Sequence, residues 1–152
     1  MAALVAILLQ AEPGPPAEAL AKAGLLLEVT DGERTVHLVT AVPAYALAPD
    51  ESLHPALGPR FTARWTGLIR VVRRGRYAFA ADATVRVGGA EVQGKAVDLE
   101  AGDHAIEIAA VRAEAKPARL RLDWSSDHFK EEPVPSTALF HRGRPEALEA
   151  SL

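Results

Sequence analysis

From Leu25 onward the chain alternates apolar and polar positions with a period of two, as strands with one buried face do. Phe61, Ala63 and Trp65 interleave with Thr62, Arg64 and Thr66. Tyr77 and Phe79 share one face of the next segment, and Val85 and Val87 flank Arg86. Val97 and Leu99 flank Asp98, and Ile106 and Ile108 flank Glu107. The most regular run is Ala118 to Trp124, where Leu120, Leu122 and Trp124 alternate with Arg119, Arg121 and Asp123. Trp65, Tyr77, Phe79, Val85, Ile106, Leu120, Leu122 and Trp124 are therefore the expected inward set.

Turn signals punctuate these runs at Asp31-Gly32, Arg74-Gly75, Gly88-Gly89, Gly94 and Ala101-Gly102-Asp103. Short strands at such spacing, with no helical pattern between them, predict an all-β fold, an antiparallel β-sandwich or jelly-roll-like barrel. Asp31-Gly32 and Gly88-Gly89 read as two-residue hairpin turns. Two stretches break the pattern. Ala41 to Pro59 carries Pro43, Pro49, Pro55 and Pro59 and is expected to be an ordered loop laid over the sandwich. Ser125 to Pro135 (SSDHFKEEPVP) reads as a second long connection, before a last strand near Thr137 to His141.

The ends are of a different character. Ala2 to Leu9 (AALVAILL) is an uninterrupted apolar run, too short to span a bilayer and of the right length for the core of a secretory signal. Leu9 and Ala11 suit a cleavage site after Ala11, although no Lys or Arg precedes the run; the alternative is a first buried strand. Glu12 to Ala23, with Pro13, Pro15 and Pro16, reads as a linker ending in at most a short helix stopped by Gly24. Pro145 onward starts like a helix that would lead to a further domain. The expected division is residues 1–23 as signal and linker, 24–141 as the domain and 142–152 as a tail.

A chain of 152 residues is long enough for one such domain with its own core. A net charge of −3 argues against nucleic acid or an anionic membrane surface as partner. Cysteine is absent, which excludes disulfides, thiolate metal sites and cysteine nucleophiles.

Little else points to chemistry. The histidines at 37, 54, 104, 128 and 141 show no metal-ligand spacing and are expected at loop or strand surfaces. Asp127-His128 within SSDHF invites a serine-hydrolase reading, but no Gly-x-Ser-x-Gly elbow occurs. Carboxylate pairs such as Asp50-Glu51 and Glu131-Glu132 lie in loops, where solvated charge is the default. Arg70, Arg73, Arg74 and Arg76 form a basic cluster, read either as a grip for an anion or as a solvated hairpin tip. The tryptophans are read as core, with sugar stacking as the alternative. No catalytic constellation, metal site or cofactor is expected.

Taken in order, several segments resemble the protective-antigen domain, the β-sandwich module named after anthrax toxin. Phe61 to Gly67 (FTARWTG) is similar to its aromatic strand ending in Arg-Trp-x-Gly, and Arg74 to Phe79 (RGRYAF) to its Gly turn leading into Tyr-x-Phe. Asp82 to Gly89 (DATVRVGG) falls where the family has Asp-Asp-Gly, an apolar strand and a Gly turn. Leu99 to His104 (LEAGDH) resembles its Leu-x-x-Gly-x-His turn, and Ala118 to Trp124 its alternating strand ending in Trp.

The resemblance implies an accessory module of exported proteins that binds carbohydrate, in some members through calcium held by the adjacent aspartates. It makes Asp82 and Arg86 the candidate ligand-binding residues. This sequence departs from the acidic pair, with Ala83 and Thr84 following Asp82, so no metal is expected. Asp82 is instead expected to accept backbone N–H bonds within its own turn. The expected function is a non-catalytic module of an exported bacterial protein, secreted or held in the periplasm or envelope, with a glycan or envelope polymer as ligand. The alternative is a structural domain packed against neighbouring domains of a larger exported enzyme or electron-transfer protein.

Overall fold

A computed structural model describes residues 21–142. The signal, most of the linker and the terminal helix expected from the sequence lie outside the described residues.

The strands are β1 (Lys22–Ala23), β2 (Leu25–Thr30), β3 (Thr35–Thr40), β4 (Tyr45–Leu47), β5 (Phe61–Val71), β6 (Gly75–Ala80) and β7 (Thr84–Val87). They continue with β8 (Ala90–Glu91), β9 (Ala96–Leu99), β10 (Gly102–Arg112), β11 (Ala118–Leu120), β12 (Asp123–Ser126), β13 (Phe129–Pro133) and β14 (Leu139–His141). Every pairing between these strands is antiparallel.

The first sheet is organised on β5 and β10, which pair along their full length from Phe61↔Arg112 to Val71↔Gly102. The far edge of β5 is shared: β2 pairs with residues 62–66, and β14 with Leu68 and Ile69. The hand-over falls at Gly67, an inward-facing position where a side chain would collide with the Phe140 carbonyl. On the other side β10 pairs with β7, and β7 with β8. The second layer runs β13-β12-β6-β9, with β11 pairing β4 beside it. The sheets stay open, so the architecture is a sandwich rather than a closed barrel.

Alternation decides what lies between the layers. Leu25, Leu27, Val29, Phe61, Ala63, Trp65, Ile69, Val85, Ile106 and Ile108 from the first sheet meet Tyr77, Phe79, Leu99, Leu120, Leu122 and Trp124 from the second in one buried cluster. The whole expected inward set is buried. Trp124 lies at the centre of an aromatic group, with ring centroids 5.5 Å from Tyr77, 6.3 Å from Phe79 and 5.3 Å from Phe129. Its indole N–H donates to Glu132 Oε2 at 3.1 Å, while that of Trp65 donates to Thr40 Oγ1 at 3.1 Å. Both tryptophans are core residues.

Several expectations need correction. The Pro-rich segment contains β4, because Tyr45 to Leu47 finds a partner in β11 and Tyr45 packs on Phe61 and Trp65. Ser125 to Pro135 is not a simple connection: β12 runs to Ser126 and returns through Asp127-His128 as β13, placing Phe129 on the aromatic group. Lys22–Ala23 is extended and pairs with β14 rather than ending a helix. The β2–β3 turn is centred one residue later than expected, on Gly32-Glu33, since the Asp31 N–H bonds the Arg34 carbonyl. Gly88-Gly89 is the expected two-residue turn, both glycines having positive φ (63° and 87°) between the paired Val87 and Ala90. His141 is buried rather than at the surface, its Nδ1 2.9 Å from the Gly24 carbonyl oxygen.

Candidate functional site

Asp82 stands in the turn between β6 and β7, exposed, at the rim of an open cleft of about 700 Å³. Ala80 and Ala81 line the same cleft from the end of β6, Gln93 and Gly94 from the β8–β9 connection, Arg119 from β11, Asp123 from β12 and Arg121 from the break between those two strands. The floor is tied together by backbone. The Gly94 N–H donates to the Phe79 carbonyl at 3.1 Å, and Val92 N–H to the Val85 carbonyl at 2.9 Å. Gln93 Oε1 accepts the Val85 N–H at 2.9 Å, which leaves the Gln93 amide donors for other partners. Among the described residues Asp82 makes no side-chain hydrogen bond or ion pair, so the expected capping of its own turn falls to Gln93 instead.

The opposite wall is built by a strand irregularity. Between β11 and β12 the alternation fails, and Leu122, Asp123 and Trp124 are all buried. Asp123 is thereby drawn inward from the polar side, where the sequence pattern set it. Arg121 follows it: Nη2 donates to Asp123 Oδ2 at 2.9 Å, and Nε lies 2.9 Å from Oδ1. The Nε approach misses hydrogen-bond geometry, so the buried Oδ1 is left without a hydrogen bond. The hydrogen bond to Asp123, reinforced by its charge, holds Arg121 still more firmly protonated than a free guanidinium. Arg119, two residues earlier on the same side of the strand, is exposed and has no ion-pair partner among the described residues.

Arg86 lies elsewhere. It projects from the exposed side of β7, with Nη2 3.4 Å from Glu91 Oε2 across the Gly88-Gly89 hairpin. There it lines a smaller depression with Thr66, Gly67 and Glu107. The two candidate ligand-binding residues therefore line separate depressions. Gln93, Arg119, Arg121 and Asp123 join Asp82 instead, and the spacing Arg119-x-Arg121-x-Asp123 on one strand was the available signal for three of them.

The remaining candidates resolve structurally. In the basic cluster Arg70 pairs with Asp103 at 2.9 Å, Arg74 with Glu100 at 3.5 Å and Arg76 with Asp98 at 3.4 Å, so most of its charge is matched. His128 Nε2 lies 2.8 Å from the Arg74 carbonyl oxygen, where it serves as donor and not as a base toward a serine. Calcium, implied by the resemblance, does not fit the cleft: alanines flank Asp82, and the other carboxylate is already matched by Arg121. Among the described residues no group of three or more His, Asp or Glu is placed to hold a metal ion. No helix there is long and apolar enough to cross a membrane.

No protein-family model matches the chain, and no curated protein matches it. Solved structures do. An anti-sigma factor domain-containing protein superposes with a TM-score of 0.71 at 20% identity, over 81% of this chain and 49% of its own. The Epithelial Adhesin 6 A domain from Candida glabrata, solved in complex with Galb1-3GlcNAc, gives 0.61 at 14% identity, over 80% and 88%. A PA14 sugar-binding domain from an RTX adhesin gives 0.54 at 15% identity, over 80% and 99%. The chain spans about half the length of the first two structures it is similar to. At these identities the likeness establishes the fold, a β-sandwich found also within a toxin transport component, an adhesin and an anti-sigma factor domain-containing protein.

Proposed function

We propose that this chain is a non-catalytic carbohydrate-binding module of the protective-antigen type, carried by an exported protein and holding it to a glycan or envelope polymer. One observation carries the reading: a fold shared with domains that bind sugar has an open cleft whose functional side chains are all polar. Carboxylates, a primary amide and guanidiniums are the donors and acceptors that sugar hydroxyls require. A glycan array probed with the labelled full chain, followed by titration calorimetry on the best binders, tests it. Saturable binding of any saccharide supports the reading, and silence across the array from folded protein removes it.

A second reading rests on a different observation. The first two structural neighbours are about twice as long as the matched region, as expected if such sandwiches serve as one domain among several. Here the chain would pack against neighbouring domains and bind no sugar, and the array would be empty.

A further inference from the structure

β3 is an edge strand of the first sheet, paired with β2 on one side and with no strand on the other among the described residues. The other edges are short or charged, as sheet edges exposed to solvent usually are. β1 and β8 are two residues long and β4 and β11 three, β9 carries Asp98, and β13 carries Lys130, Glu131, Glu132 and Pro133. β3 has six residues, Thr35 to Thr40, and none of them is Lys, Arg, Asp, Glu, Pro or Gly. Its pairing with β2 runs from Leu25↔Thr40 to Thr30↔Thr35 without a bulge. Burial also stops short there. Leu27 and Val29 are 3% and 0% exposed, yet Leu38 and Val36, which stand opposite them on the inward face, are only half-buried. On the outward face Val39 is 44% exposed beside a half-buried Leu26.

A further strand laid along β3 would cover apolar side chains on both faces and pair the free backbone groups. The strand that fits carries no charge and is already extended, so that little conformational entropy is lost in ordering it. β3 of a second copy meets both conditions, and its own free edge is satisfied in the same step. Two-fold symmetry then limits the register. For the inward faces of both copies to stay on one side of the joined sheet, residues of like parity must oppose one another. An axis through Leu38 sets Leu38 against Leu38 of the second copy, Val36 against Thr40 and His37 against Val39. Beyond the strand ends, Glu33 and Arg34 fall opposite the uncharged Pro43 and Val42, so no like charges are opposed. An axis through His37 would instead oppose two imidazoles.

We propose that β3 is a self-association edge, through which two copies of this chain join their first sheets antiparallel in a two-fold dimer centred on Leu38. The paired strand is about 20 Å long, which makes a smaller contact than a standard protein interface, so the dimer should be weak, with a Kd in the micromolar range. Sedimentation velocity of the full chain from about 1 to 500 µM should show a monomer–dimer equilibrium. Val39→Lys and Thr35→Lys, both at exposed positions, should each weaken it about tenfold or more and leave the melting temperature of dilute protein unchanged. Because the chain has no cysteine, Leu38→Cys should give a disulfide-linked dimer under mild oxidation. Thr35→Cys, about 20 Å from its counterpart in this register, should stay monomeric at the same concentration. A chain that is monomeric throughout, whether its edge is open or covered by residues outside 21–142, would overturn the inference. So would a dimer indifferent to both lysine variants, or crosslinking through Thr35→Cys as fast as through Leu38→Cys.

Discussion

Gly67 lies under the carbonyl of Phe140, so close that a Cβ at position 67 would fall inside contact distance of that oxygen and 2.7 Å from Leu25 Cδ2. The approach exists because β5 changes partners there, from β2 to β14, and all three strands converge on one inward position. Gly67→Ala should cost about 1–3 kcal/mol by overpacking, since the nearest atom is backbone and cannot rotate away. Thermal melting followed by circular dichroism measures it. An unchanged melt would mean that β14 does not seat this tightly.

Arg112 ends β10 on the same inward parity as Ile106, Ile108 and Ala110, and its buried guanidinium has no carboxylate partner among the described residues. It donates instead to the carbonyls of Ala48, Glu51, Pro59 and Lys116, closing the Pro-rich loop and the β10–β11 turn over the end of the core. Arg112→Met should destabilise by about 3 kcal/mol or more, because several carbonyls are orphaned together. Lysine cannot reproduce the fork, so Arg112→Lys should rescue little. Hydrogen exchange should accelerate first at Ala48 and Glu51.

Half of this could be read in the sequence and half could not, for identifiable reasons. Period-two alternation is imposed by the pleat, so every residue of the expected inward set is buried. Extending the Ile106–Ile108 parity by four residues would have placed Arg112 inward. What turns that burial from a conflict into a staple is the convergence of carbonyls from residues 48–59, a tertiary fact. Asp123 was illegible for the opposite reason: the alternation that assigned it to solvent breaks at that residue. The cleft shares this fate, since Asp82, Gln93 and Arg121 meet only once two loops and a strand are stacked. Asp82 could be picked out from the resemblance, but nothing local says that Arg86 turns away from it to Glu91.

Both tryptophans should behave as core residues. Trp65 and Trp124 are 1% and 7% exposed, so acrylamide or iodide should quench their fluorescence weakly in the native state. Trp124→Ala should cost about 3–5 kcal/mol, the range for emptying a large aromatic site. Trp65→Phe should cost less, with about 1 kcal/mol of it from the lost bond to Thr40. Efficient native-state quenching at both indoles would overturn the assignment and reopen sugar stacking.

Asp31 should make the fold measurably acid-sensitive in a narrow window. Its carboxylate accepts the N–H groups of Glu33 and Arg34, each at 2.8 Å, and of Gly58 at 3.0 Å, tying the β2–β3 turn to the Pro-rich loop. These bonds, that from Arg34 foremost and then those from Gly58 and Glu33, lower its pKa from 3.8 to about 2. Because the folded-state value is depressed, the unfolded chain takes up the proton first as pH falls. The stabilisation is therefore fully present above about pH 4 and is lost progressively as pH drops through about 2. Asp31→Asn keeps the shape of the side chain and removes the charge. Urea midpoints at about pH 5, 3.5 and 2 should show the wild type ahead of the variant at the first, with the gap narrowing at each step. A gap that stayed constant across that range would show that the turn does not depend on the ionised carboxylate.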